Sequence, residues 1–335
     1  MDFYKILNKE ECHHNLQYKT GLNIDPIEFN PSGDCKPGGI YFSREDILAF
    51  LGYGFWIRKV TIPEDAKIYE NPGKPKKWKA NKVILGKKEK ITAKVIKRLI
   101  DEGADPKTDN CYPLRWAVIN KHTDIVKLLI PISNPNVYNN ESLRNAAEKG
   151  YTEIVKLLIP VSNPKAYNIA LQCAAEYKRT EIVKLLIPIS DPKIKNNYAL
   201  RCAALNGYTE IVKLLIPVSD PKANNNIALR CAAEKGHLDT VKLLIPFSDP
   251  KIKDNYALVR AAEYGYTEIV KLLIPISDLT VYNIEALKSA IYNKHIDIVK
   301  LLIPVFEIDN DIIKFCKKFC KDQEIRDLII SNKKE

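Results

Sequence analysis

The hexapeptide Val-Lys-Leu-Leu-Ile-Pro occurs seven times in this chain, starting at Val126, Val155, Val183, Val212, Val241, Val270 and Val299. The steps between copies are 29, 28, 29, 29, 29 and 29 residues. A unit of that length cannot bury its apolar face alone, so copies must stack and each touches its neighbours. A degenerate copy, Ile96-Lys97-Arg98-Leu99-Ile100, precedes the seven. The spacing predicts a half-repeat at 91–104, seven units over 105–306 and a terminal cap at 307–331.

Residues 191–219 show the anatomy of one unit. Ser190-Asp191-Pro192 reads as a turn, because Ser and Asp bond their own backbone and Pro presets φ. Lys193 to Asn197 read as a short polar finger. Tyr198 to Leu205 predict a first helix, ended at Asn206-Gly207 by a left-handed glycine. Thr209 is expected to cap a second helix, with Glu210 near its positive end. Ile211, Val212, Leu214, Leu215 and Ile216 form its apolar face, and Pro217 stops it. Alanine pairs such as Ala203-Ala204 let neighbouring helices approach closely. Of the 20 prolines, 13 stand in register. Seven close second helices, and Pro106, Pro135, Pro164, Pro192, Pro221 and Pro250 open the next turn.

This pattern resembles the ankyrin repeat. Tyr112-Pro113-Leu114-Arg115-Trp116-Ala117 is similar to that family's Thr-Pro-Leu-His-x-Ala, and Gly103-Ala104-Asp105 to its helix-ending loop. Thr123 to Leu129 match its second helix. The family unit is about 33 residues. Here Pro-x-Ser replaces Gly-Ala, so the fingers should be stubby and without strand pairing. The fold class expected is mainly α, a solenoid of short ankyrin repeats over 91–335 behind a small α+β head at 1–90. The resemblance implies a concave binding surface made of the first helices and fingertips. On it fall Arg115, Arg144, Gln172, Arg201, Arg230 and Lys288 in one column, interrupted by Val259, with finger lysines Lys165, Lys193, Lys195, Lys222, Lys251 and Lys253 beside them. The basic column fits an acidic protein partner; a solvated helix face is the competing reading. Non-catalytic protein binding by a monomer is the function expected, with no cofactor and no metal.

Composition changes near residue 90: eight of the 13 glycines lie in residues 1–86. Gly39 to Phe42, Trp56 to Ile62, Ala66 to Tyr69 and Asn81 to Leu85 read as strands. Ser43 is expected to cap a helix carrying Ile47, Leu48 and Phe50, with Asp46 in the capping-box position. Head segments such as Cys35-Lys36-Pro37-Gly38-Gly39-Ile40-Tyr41-Phe42 and Tyr53-Gly54-Phe55-Trp56-Ile57-Arg58, placed before short repeats, are similar to the ankyrin-repeat proteins of giant DNA viruses of the mimivirus type. That resemblance implies a protein of the host cytoplasm whose partner is a host or viral protein. The head also resembles ADP-ribosyltransferases through an early His, the Gly-Ile-Tyr-Phe-Ser strand and a following helix, without an evident third-position glutamate. Transferase activity in the head is therefore the alternative function, together with nucleic-acid binding.

The net charge of +11 permits nucleic acid, but it is unevenly spread. Residues 74–90 carry eight lysines and one glutamate. Pro72, Gly73 and Pro75 mark that stretch as a solvated loop, with Trp78 as a conceivable stacking base, and this weighs against nucleic acid as partner. The start has no apolar run of signal-peptide length and no run long enough to span a bilayer, so neither secretion nor a membrane partner is expected. Eight cysteines then read as reduced thiols. Cys173, Cys202 and Cys231 recur at 29 residues and read as small packing residues. Cys12, His13, His14 and Cys35 are metal-ligand types in no zinc spacing. Cys316 and Cys320 fall on one face of the terminal helix.

Overall fold

The computed structural model describes residues 1–13, 15–32, 36–277 and 284–332, with the backbone alone at 252–254. The chain divides into two compact units, 1–166 and 167–335. The first holds the head and the opening repeats; the second holds the later repeats and the cap. His14 and Cys35 lie outside the described residues.

The head is built almost wholly of strands. They are β1 (Phe3–Leu7), β2 (Cys12–His13), β3 (Leu16–Gln17), β4 (Gly21–Ile24), β5 (Ile40–Phe42), β6 (Trp56–Thr61), β7 (Ile68–Asn71), β8 (Lys77–Ala80), β9 (Lys82–Leu85) and β10 (Glu89–Lys90). One sheet has the order β1-β6-β9-β4, with β10 also on β6; a second runs β5-β8-β7, and β2 pairs β3. All pairs are antiparallel. Leu7, Ile40, Phe42, Val60, Ala80, Val83 and Leu85 form the core, with Phe3 and Trp78 packed against it.

Two expectations for the head fail. Residues 74–90 are not a solvated loop, because β8, β9 and β10 lie within them. Lys79 is fully buried, its stem packed and its ammonium facing the rings of Tyr41 and Tyr69. Trp78 meets Phe3 edge-to-face at 5.1 Å and packs, partly buried, against the head core. The helix after Ser43 is a 3-10 helix at Ile47–Tyr53, which Ser43 does not cap. Ser43 instead bridges Tyr4 through backbone bonds, and its hydroxyl donates to the Lys76 carbonyl at 2.7 Å. Asp46 accepts from the Lys76 amide and from the Thr108 hydroxyl, tying the head to the first repeat.

From residue 91 the chain is helical, and no strand follows Lys90 among the described residues. Thr92 caps Ala93–Asp101. Each later unit has a first helix, such as Ile194–Leu205 or Ala223–Glu234, and a seven-residue second helix, such as Thr209–Leu215. A 3-10 turn containing the register proline ends the second helix, as at Ile216–Val218. Ile211, Val212 and Leu215 are buried, as are all five alanine pairs. Thr209 does not cap its helix; the N-cap position is Tyr208, without a side-chain bond. Gly207 has φ +67°, as the sequence requires, and a Cβ there would strike the His237 ring of the next repeat. That ring bonds the Leu205 carbonyl at 3.0 Å, one of the orphan acceptors at the helix end.

The polar finger is the main departure. Lys195, Asn196 and Asn197 all adopt left-handed conformations, with φ of 51°, 54° and 57°. The same three-residue turn occurs at Asp109-Asn110-Cys111, Tyr138-Asn139-Asn140 and Asn224-Asn225-Asn226. Such residues cost roughly 1–2 kcal/mol each, least for Asn and Asp. The third residue repays it. Asn197 is buried, and its Oδ1 accepts from the Asp220 amide of the next repeat at 2.8 Å. Asn140 does the same for Asn163, Asn168 for Asp191 and Asn226 for Asp249. Cys111 fills the position with a thiol accepting from the Asn134 amide. In the following turn Asp191 bonds the Lys193 amide at 3.0 Å, whereas the Ser190 hydroxyl is buried and bonds nothing among the described residues.

Asn197→Ala loses both the buried acceptor and the tolerance for φ near 57°; Asn197→Gly loses only the first. Urea unfolding of the full chain is expected to show the Ala variant destabilised by about 2 kcal/mol and the Gly variant by less. Equal losses would mean that the hydrogen bond alone matters.

Candidate functional site

The first-helix column is half-buried. Arg115 is held by Glu141 at 3.2 Å and by the carbonyls of Asp109 and Asn110, and it lies over the rings of Tyr112 and Tyr138. Arg144 reaches the Tyr138 carbonyl, and Arg230 reaches the Asn225 carbonyl. These are carbonyls of the left-handed turns. Arg201 lies over Tyr198 at 4.9 Å, and Arg230 over Tyr256 at 4.3 Å. Gln172 is buried, and Lys288 pairs with Glu285 at 2.9 Å. Arg115, Arg144 and Arg230 therefore contact the turns, and Arg115, Arg201 and Arg230 stack on tyrosines, before any partner arrives.

Sequence reasoning missed Tyr198 and Tyr256 as members of this surface. The signal was present: Tyr198 stands three residues before Arg201 and Tyr256 four before Arg260, spacings that place side chains together on a helix. Arg260 bonds the Tyr256 hydroxyl at 2.7 Å and pairs with Glu263 at 2.6 Å. A hydrogen bond to Cys202, more than burial, pushes the Tyr198 phenol up to about 12.

The finger lysines behave differently. Lys165, Lys193, Lys195, Lys222 and Lys251 are exposed, while the side chain of Lys253 lies outside the described residues. Lys193, Lys222 and Lys251 sit on Asx turns that fix their backbone at Asp191, Asp220 and Asp249. The lysines of Val-Lys-Leu-Leu are also exposed, and Lys184 and Lys271 pair with Glu181 and Glu268 one turn earlier at 2.7 Å. Such pairs stabilise by only about 0.2–0.5 kcal/mol. Cys202 and Cys231 are thiols raised by burial, and burial pushes Cys316 up to about 11, so all three stay protonated and unreactive at neutral pH. Among the described residues no cluster of three His, Cys, Asp or Glu could hold a metal ion.

A second site lies in the head and was not anticipated. A cavity of about 470 Å³ opens beside β1, lined mainly by Ile6, Leu7, Phe42, Ile47, Phe50 and Tyr53. Lys5, His13, Tyr41 and Lys77 supply its polar wall. Lys5 is buried; its Nζ donates to the Tyr41 carbonyl at 2.8 Å and faces the Tyr18 ring at 4.7 Å. Burial pushes its ammonium down to about 7, against a weaker opposing pull from Asp25.

The unfolded chain holds the Lys5 proton to its ordinary value of 10.5. Between pH 7 and 10 the unfolded state thus binds more protons at this residue, and its burial becomes less costly as pH rises. The gap in urea midpoint between Lys5→Met and the parent is expected to move steadily against the variant from pH 7 to 9.5. A pH-independent gap would show that Lys5 keeps its ordinary pKa.

The repeats match known proteins. The family model described as ankyrin repeats (3 copies) matches residues 88–168, 171–254 and 229–313. An ankyrin repeat protein of Acanthamoeba polyphaga mimivirus is 40% identical over 123 residues, which cover 34% of this chain and 40% of that protein. A second from the same virus is 34% identical over 134 residues, 38% of this chain and 66% of the relative. The chain thus spans less than two thirds of either. A third, uncharacterised mimivirus protein is 37% identical over 133 residues, 38% of this chain and 96% of its own length. Among solved structures, the ankyrin repeat domain of Bcl-3, a member of the IkappaB protein family, aligns with 56% of this chain and 97% of its own, at a TM-score of 0.46 and 23% identity. The family match covers more than half of the sequence, and the chain belongs to the ankyrin-repeat family.

Proposed function

We propose that the chain is a non-catalytic protein-binding module that works as a monomer in the host cytoplasm and takes an acidic segment of a host or viral protein. Ankyrin repeats typically mediate protein–protein interaction. The observation that carries the finer reading is the division of labour on the first-helix side of the 167–335 unit. Arg201 and Arg230 are fixed over tyrosines, while Lys193, Lys195, Lys222 and Lys251 remain exposed. A pre-ordered basic and aromatic surface binds without a large ordering cost, and its charge speeds encounter with an acidic partner. Half of the eight lysines of 74–90 that could have served nucleic acid are engaged in the head: Lys77 by Tyr41, Lys79 by Tyr41 and Tyr69, Lys82 by Asp65, and Lys88 by Glu11 and Trp56. No helix among the described residues is long and apolar enough to cross a membrane.

The transferase alternative would use the cavity beside the Tyr41-Phe42-Ser43 strand. Its lining residues are apolar, neutral polar or basic, a set that offers no carboxylate to steady an oxocarbenium-like centre. The full chain incubated with NAD is expected to consume none above the buffer rate; steady consumption would establish the transferase reading.

Because the arginines hold the turns, charge reversal there would disturb the fold along with the surface. Lys193, Lys222 and Lys251 together replaced by Glu give a cleaner test. Partners captured from infected-cell extract by the parent should be lost by this variant and kept by Lys184, Lys213 and Lys271 replaced by Glu, with circular dichroism unchanged in both. Equal capture by all three proteins would rule out the finger surface.

A further inference from the structure

The head cavity carries an inference independent of what the repeats bind. Lys5 forms no salt bridge among the described residues, although it is buried. The groups around it are the Tyr41 carbonyl, the Tyr18 ring, Asp25 at longer range, and its cross-strand neighbour Arg58, already paired with Glu11 at 3.1 Å. A buried cation without a matched anion is costly, and a carboxylate brought to it recovers that cost. Lys77 stands on the same cavity wall, with its Nζ over the Tyr41 ring at 5.3 Å. Three of the lining residues, Lys5, His13 and Lys77, are basic, and none is acidic.

The backbone adds a donor. Tyr4 exchanges both backbone hydrogen bonds with Ser43, so it points away from β6. In an antiparallel ladder residues two apart point the same way, so Ile6, which lines the cavity, turns its N–H and C=O to the same side. Apart from Asn8, Cys12 and Ser43, the remaining walls are aliphatic and aromatic. Apolar walls with a few convergent polar groups are the usual make-up of a small-molecule site, and a volume of about 470 Å³ falls within the usual range.

We propose that this cavity binds a monocarboxylate with an apolar body, its carboxylate directed to Lys5 and Lys77 and its body lying against Ile6, Phe42, Ile47 and Phe50. The ligand is held without covalent chemistry, since charge and shape account for every group named.

Isothermal titration of the full chain with decanoate and with decanol tests this. Decanoate should bind at one site, with decanol weaker by about tenfold or more, as expected when a charge-assisted bond is lost. Lys5→Met should abolish that preference, and Lys77→Gln should reduce it. Lys77 is partly exposed, so its variant keeps the test valid if Lys5→Met fails to fold. Equal binding of acid and alcohol, no binding of either, or a preference untouched by Lys77→Gln would overturn the proposal.

Discussion

The repeat array depends on one recurring hydrogen bond, from the backbone amide that opens a turn to the Asn side chain of the preceding repeat. The donor and acceptor are separated by 23 residues at Asn140, Asn168, Asn197 and Asn226 alike. That constancy explains the single irregular step. The 28-residue unit lacks one residue between Pro164 and Asn168, upstream of the acceptor, and its helix Lys165–Glu176 contains no residue of positive φ. The deletion removes the left-handed turn while leaving the bond intact. The turn is thus one way to deliver the Asn, and the bond is what these four units share. A buried amide left without this acceptor would cost about 1–3 kcal/mol.

The left-handed turns decide what the basic column does. Three consecutive residues with φ near +50° turn the chain ahead of the first helix, and Arg115, Arg144 and Arg230 donate to carbonyls of these turns. Position and charge of this column were legible in the sequence, because the period assigns each residue to a face. Its task was not, because the turn geometry depends on a bond to the next repeat that no single unit displays. The alanine pairs, the glycine at φ +67° and the apolar triplet of the second helix were legible for the opposite reason. Each follows from local geometry repeated in every unit.

The head was legible where short apolar or alternating runs survived in ordinary residues, and Gly39 to Phe42 and Ala66 to Tyr69 overlap β5 and β7. Trp56 to Thr61 and Lys82 to Leu85 alternate and form β6 and β9. Lys77 to Ala80 also form a strand, concealed because a lysine occupies a fully buried position. A lysine stem is apolar, and two tyrosine rings accept its ammonium, so the sheet tolerates what composition reads as solvent-facing. The same confusion hid the cavity. Lys5 looks like a surface residue of a terminal segment until β1 is placed at a sheet edge against β5 and the 3-10 helix.

An array of repeats has two ends, and each must present a polar outer face. At the C-terminal end Asp309 and Asp322 cap two helices, Asn310–Phe319 and Gln323–Ser331, which expose Lys314, Lys317 and Lys318 while Ile312, Ile325 and Ile329 are buried. Within the first unit the start of the repeats is closed by a folded body. Tyr4 donates to Glu102 at 2.6 Å, Arg98 grips Glu89 with two bonds of 2.8 Å, and Gly52 leaves room for the Tyr112 hydroxyl where a Cβ would collide. Ile96 and Leu99, on the one helix that has no preceding repeat, are fully buried. The head therefore does the work of a capping repeat, and β1, which contributes Tyr4 to that junction, also lines the cavity with Lys5, Ile6 and Leu7. A ligand that stiffens β1 would act on the same strand that closes the array, and Tyr4 joins the two directly, since it lines the cavity and its hydroxyl bonds Glu102.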